Sequence, residues 1–192
     1  MIVKDRKRLS KPCEYVDNIE DGENIAAELF KELANSKTGI GLAANQIGIN
    51  KRVCVINVKE PLFFINPKIT NTSGSTNTYE SCLSFPKKRV RTKRFTEITV
   101  EADNLTAPVV FSGDTGNEID LLESICIQHE IDHLLGITMY DRADRQEPIV
   151  NKTKIGRNQK VIIKRKDEIK TIKWKKAEPL LKDGWALHST DI

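Results

Sequence analysis

EIDLLESICIQHEIDHLLG, residues 118–136, carries helix boundaries and chemistry in one run, and the rest of the chain is read outward from it. Asp120 with Glu123 three residues on forms a start signal, and Gly136 forms a stop, so the spacing predicts a helix between them. Residues four apart stand on one helix face, so His129 and His133 aim their rings at a single point, with Glu130 one residue round the same side. Leu122, Ile125 and Cys126 share the face that carries the two histidines. Burying two imidazoles and a carboxylate on an apolar helix leaves costly unsatisfied polar groups unless the rings coordinate something. A metal ion at that point resolves the conflict.

Catalytic metal sites of this kind use three protein ligands and leave a further position open. The only other histidine, His188, lies in a basic tail and reads as a surface residue. Among the four cysteines, Cys13 is near the N-terminus and Cys54 falls in a strand with a core pattern. Cys82, in YESCLSFP between a polar turn and a proline, ranks first as third ligand; Cys126, one turn before His129, ranks second.

Upstream of the helix, DGENIAAELFKELAN (21–35) places Ile25, Leu29 and Leu33 at a spacing of four, an amphipathic helix whose stripe should face a sheet. Next comes the glycine-punctuated GIGLAANQIGI, then RVCVINV (52–58), a β-branched run that reads as a buried strand. Further strands are expected at FFINPKIT (63–70), RFTEITVEA (94–102) and APVVFSG (107–113), with NTSGSTNT (71–78) as a polar turn and KKRVRTKR (87–94) as a basic run. Downstream, KVIIKRKDEIKTIKWKK (160–176) reads as two short strands around a Lys-Asp-Glu turn, and AEPLLKDGWAL as a helical or irregular cap with Trp174 and Trp185 as packing anchors.

Composition limits the function classes. The chain has 192 residues, 39% of them hydrophobic, enough for one domain with a real core and a modest appendage. Its apolar runs are too short to span a membrane and its first residues lack the apolar stretch of a secretory signal, so a cytoplasmic protein with unpaired thiols is expected. Charge is uneven: residues 1–150 hold 19 Lys and Arg against 22 Asp and Glu, whereas residues 151–192 hold 12 against 5. The basic character belongs to the tail, which could meet RNA phosphates or lie as a solvated hairpin over a strand edge.

GIGLAANQ (39–46), ESCLS (80–84) and QHEIDH (128–133), in that order, resemble the three signature motifs of the peptide deformylases. The resemblance covers about residues 1–145, including RLSKP near the start. It implies that Cys82, His129 and His133 bind one divalent metal ion, Fe(2+) or Zn(2+), and that Glu130 is the general acid and base. It further implies that the Gln46 side chain and the Leu83 backbone N–H hold an oxyanion, and that Arg89 contacts the peptide backbone. The activity implied is hydrolytic removal of the formyl group from N-formylmethionine at the start of new polypeptides.

Gly39, Ile40, Gly41, Glu80, Arg89, Leu122, Ile125 and Cys126 are read as the substrate-binding set, the glycines because a Cβ would obstruct a peptide. Two residues depart from the family pattern: Asn45 stands where many members have Pro or Thr, and Ser81 where most have Gly. A positive φ at Ser81 would strain it by about 1 kcal/mol.

The whole reading is an α+β protein with mainly antiparallel sheets packed around a central metal-binding helix. It divides into a catalytic domain at 1–148 and a basic C-terminal extension at 149–192. The expected protein is a monomer acting on N-formylmethionyl peptides, with the ribosome as partner through the tail. An HExxH endopeptidase and a catalytically silent ribosome- or RNA-binding homologue are the rival readings.

Overall fold

The structure is a computed structural model that describes residues 1–144, 158, 160–165 and 168–189, with only the backbone of 182 and 186–189. The chain divides into two compact units, Met1–Asp144 and Arg145–Ile192. The expected boundary at 148/149 falls outside the described residues.

In the first unit a short helix α1 (Arg6–Leu9) precedes α2 (Ile19–Ala34). Asn18 caps α2 by accepting a hydrogen bond from the Asp21 N–H at 2.9 Å. Ala26, Leu29 and Leu33 form its buried stripe, with Ile25 partly covered, and pack on Leu42, Val53, Val55 and Ile65. Those residues belong to an antiparallel sheet of β1 (Gly41–Ala43), β2 (Val53–Asn57) and β3 (Pro61–Ile65), in the order β1-β2-β3. A 3-10 turn at Ala44–Ile47 follows β1 directly.

The segment expected as one strand at 63–70 is two, because the chain turns at Asn66, whose φ is 51°. An Asn tolerates this conformation better than most residues, and here the Asn66 amide is held by the N–H and the carbonyl of the distant Val16. After the corner, β4 (Lys68–Ser73) pairs with β7 (Glu97–Glu101), and β7 with β8 (Val109–Ser112).

Between them lies a hairpin that sequence patterning missed, β5 (Thr76–Cys82) with β6 (Phe85–Arg94). The expected turn at 71–78 is therefore the end of one strand and the start of another, and the basic run is itself a strand. Its charges hid its period: Thr92 and Arg94 point inward and are buried, while Lys87, Lys88, Arg89 and Lys93 stay exposed.

Helix α3 (Glu118–Leu134) is the axis of this unit. Every residue from Glu123 to Leu134 is buried, with contacts to β1, β2 and β8. Asn117, not Asp120, is the N-cap; its side chain accepts from the Ile119 N–H at 3.0 Å. Asp120 instead sits in the first turn, bonded by Thr115 and paired with Lys59 at 3.1 Å. Gly136 takes the left-handed stop at φ 74°.

In the second unit, β9 (Lys160–Arg165) is the middle strand of an antiparallel sheet with β10 (Glu168–Lys173) and β11 (Ala186–Ser189). The two expected strands are present, although residues 166 and 167 of the expected turn lie outside the described residues. The strand pattern ends sooner than read, since α4 (Trp174–Leu180) starts at Trp174. Val161, Ile163, Ala177 and Trp185 are buried together, with Trp174 and Leu180 against them, so both tryptophans anchor the core of this unit itself.

Candidate active site

Helix α3 contributes His129 and His133, whose ring centroids are 5.0 Å apart and inclined at 74°. The third donor comes from the end of β5. There the pairing with β6 shifts between Glu80 and Cys82, so the strand bulges at Ser81 and re-aims the next side chain. Cys82 Sγ then stands 3.3 Å from His133 Nε2. One ligand atom from each of Cys82, His129 and His133 lies within 4.8 Å of the others, and all three residues are buried. Two donors sharing a tetrahedral ion are about 3.5 Å apart, so this cluster suits one divalent cation. Ser81 has no positive φ, so the strain expected of a glycine replacement does not arise.

Cys126 is excluded from the cluster. Its Sγ lies 3.6 Å from the Ile40 carbonyl, and burial raises its thiol well above the usual range, as it does for Cys54. These are neutral packing thiols. The side chain of His188 lies outside the described residues.

Around the donors runs a buried chain of charges. His129 Nδ1 is 2.6 Å from Glu80 Oε2, which leaves Nε2 for a metal. Both Glu80 oxygens are also bonded by Arg94, at 2.6 and 2.9 Å, and Thr92 donates to Oε1. Arg94 continues to Asp132, and Asp132 to Arg142 at 2.7 and 2.9 Å. Burial opposes the charge on Glu80, but the bonds from His129 and Arg94 outweigh it and hold the carboxyl well below the usual range. Glu80, expected as a substrate contact, lies on the lining of the cavity over the cluster, with both oxygens engaged and one of them on the His129 ring. Burial and the neighbouring His129 push His133 down to about 3, whereas, against the cost of burial, the bonds to Cys82 and Glu80 hold His129 well above its usual range in the metal-free protein.

Glu130 is only 4% exposed, and burial pushes its carboxyl up to about 7. Its Oε2 has no hydrogen-bond partner among the described residues. An acid of that pKa, on the lining of the same cavity as Cys82 and His129, suits proton transfer near neutral pH. Gly41 makes room for it: a Cβ there would lie 2.5 Å from Glu130 Oε1 and 2.7 Å from Cys126 Sγ. The glycine was read as clearance for a peptide, but its nearest neighbours are the acid and a packing thiol. Gly41→Ala is therefore expected to displace the carboxylate, cutting kcat about 10-fold or more, with a destabilisation of about 1–3 kcal/mol. Wild-type kcat and melting temperature in that variant would contradict this role for the glycine.

Gln46, 1% exposed, sits in the 3-10 turn with Oε1 accepting from the Ala43 N–H at 2.8 Å. That anchor fixes the amide so that Nε2 points to Ser84 Oγ at 3.1 Å and Cys82 Sγ at 3.4 Å. Leu83 opens the two-residue turn between β5 and β6.

A cavity of about 750 Å³ opens over the cluster. Its lining includes Gly39, Ile40, Gly41, Leu83, Arg89, Leu122, Ile125 and Cys126 beside Gln46, His129 and Glu130. Ile125 is 7% exposed, whereas Leu122 is 43% exposed and stands at the lip. Arg89 is exposed, its guanidinium 5.3 Å from the centre of the Tyr79 ring. A slightly larger cavity, about 780 Å³, lies behind α3 against Gln128, Ile131 and Asp132 and touches none of the three donors. Chemistry rather than size identifies the site.

Sequence reasoning missed Thr92, Ser84, Arg94, Asp132 and Arg142. Asp132 was legible as a second acid inside QHEIDH; no local signal marks Arg94, which sits among other basic residues.

Comparison with known proteins finds the same family by sequence and by fold. The family model described as polypeptide deformylase matches residues 1–148. Peptide deformylase of Neisseria gonorrhoeae is 36% identical over 156 residues, spanning 79% of this chain and 89% of that protein. The Heliobacterium modesticaldum peptide deformylase is 40% identical over 122 residues, 63% of this chain and 77% of that one. Among solved structures, a peptide deformylase from Synechococcus elongatus in complex with actinonin aligns with a TM-score of 0.66 at 31% identity, covering 76% of this chain and 79% of its own. The Thermotoga maritima peptide deformylase aligns at 0.66 and 27% identity, covering 74% and 96%.

Proposed function

The chain belongs to the polypeptide deformylase family, and from that premise we propose how its own residues perform the reaction. The protein is a metal-dependent hydrolase that removes the N-formyl group from formylmethionine at the start of newly made polypeptides, releasing formate. The rival readings, an endopeptidase and a silent homologue, are not favoured.

Cys82, His129 and His133 hold the cation, and the soft thiolate with two imidazoles suits Fe(2+) or Zn(2+). When bound, the ion supplies Lewis acidity that makes water a nucleophile at neutral pH. Glu130 takes the proton of the attacking water on its carboxylate and returns it to the leaving amine. Gln46, held through Oε1, donates from Nε2 to the developing oxyanion, together with the Leu83 backbone N–H. Leu122, Ile125 and Cys126 form the apolar wall that receives the methionine side chain, and Arg89 at the rim meets the peptide backbone. One observation carries the reading: three buried donors within 4.8 Å of one another, beside a carboxylate with an unpaired oxygen. Metal analysis of protein purified without oxygen, paired with formate release from a formyl-Met peptide, tests it; metal-replete protein that releases no formate overturns it.

The division into 1–148 and 149–192, a monomeric state, a cytoplasmic location and the ribosome as partner belong to the same proposal. No helix among the described residues is long and apolar enough to cross a membrane. Support for the ribosome is the charge of residues 151–192, 12 basic against 5 acidic. Truncation after Val150 is expected to leave hydrolysis of a short formyl peptide nearly unchanged, because every proposed catalytic residue lies upstream. Ribosome binding should fall, and that of the full chain should weaken steeply with salt. Salt-insensitive binding that survives truncation would leave the tail as a structural cover.

A further inference from the structure

Among the described residues three buried side-chain atoms lack a hydrogen-bond partner: Glu130 Oε2, Asn45 Oδ1 and His133 Nδ1. The first belongs to the proposed acid itself. The other two are an acceptor and a nitrogen on residues that already touch, since Asn45 Nδ2 donates to the His133 backbone carbonyl at 2.6 Å. That bond fixes the Asn45 amide, because the flipped rotamer would set oxygen against oxygen. Its Oδ1 is thus an acceptor by position.

His133 presents Nε2 to the donor cluster, 3.3 Å from Cys82 Sγ. An imidazole that ligates through Nε2 carries its proton on Nδ1, and a ligating histidine is oriented by whatever accepts that proton. For His129 the acceptor is Glu80. We propose that Asn45 performs this task for His133: the two atoms are not bonded to each other in this structure, and in the metal-loaded protein Oδ1 would accept the Nδ1–H. Asn45 is then a positioning residue, and its neighbour in the same 3-10 turn is Gln46, so one turn would orient both a metal ligand and the proposed oxyanion donor. The two rings are held differently, one by a buried carboxylate and one by a neutral amide. This inference rests on the metal site proposed above.

The test uses the zinc-loaded full chain. In imidazole nitrogen spectra, His133 should show a ligated Nε2 and a slowly exchanging Nδ1–H. In Asn45→Ala that proton should shift and exchange faster while the His129 signals hold. Zn²⁺ affinity by chelator competition should drop about 10-fold. Asn45→Asp keeps an acceptor but not the Nδ2 donor, so it should recover most of that affinity, although both variants lose the tie to the His133 carbonyl and melt lower without metal. Equal affinity losses in the two variants would reduce Asn45 to a structural tie and overturn the assignment. So would a His133 Nδ1–H that exchanges unchanged in Asn45→Ala, which decides the matter even if Asn45→Asp does not fold. Wild-type protein that takes up no zinc overturns this inference and the metal site together; normal uptake with an unaltered Asn45→Ala overturns this inference alone.

Discussion

Glu130→Gln is expected to keep the metal and lose turnover, with kcat falling about 10²- to 10⁴-fold. The amide fills the same volume, so the close approach of Gly41 and the burial at 4% exposure are preserved. Glutamine cannot accept and return a proton, so the chemical step fails while the donors stay in place. Formate release at matched metal content measures this, and turnover near wild type would remove Glu130 from the mechanism. The same substitution has a stability signature in the metal-free protein. Burial raises the Glu130 pKa from 4.5 to about 7, so the folded state binds more protons than the unfolded state across that window. Stability therefore declines as pH rises from 4.5 toward 7, and Glu130→Gln should remove that part of the decline. Melting temperatures of both metal-free proteins between those pH values check the sign.

Cys82→Ser should strip the site. Replacing thiolate by a hydroxyl removes the soft anionic ligand and leaves two imidazoles, and metal content and formate release should fall together to near background. Cys126→Ser is the informative partner, because the spacing QHEIDH alone left both cysteines open. Cys126 Sγ contacts the Ile40 carbonyl rather than the donor cluster, so its serine variant should retain full metal. The effect expected there is weaker binding of the methionine side chain, read as a rise in KM. Full metal in Cys82→Ser, or none in Cys126→Ser, would overturn the ligand set.

The amphipathic period of α2 and the bounded run of α3 were readable because both signals are local and repeat within a few residues. Strand β6 was not, because its charged residues outnumber its buried ones; only the partner β5 shows that Thr92 and Arg94 face inward. Asn66 broke an expected strand for a similar reason, since its bonds to Val16 reach fifty residues back along the chain.

By itself the sequence determined the two imidazoles on one helix face, the adjacent acid and the order of three motifs, because those depend on helical spacing and on residue chemistry. Sequence ranked Cys82 ahead of Cys126 without separating them by geometry; the tertiary structure brings Cys82 to the imidazoles, since a strand bulge at Ser81 sets its direction. It also set Glu80 against the His129 ring and Gly41 against Glu130, contacts that no local pattern shows. The physical reason is the same in each case. A buried polar group is stable only when its partners surround it, and those partners come from elements far apart in the chain that no local pattern brings together.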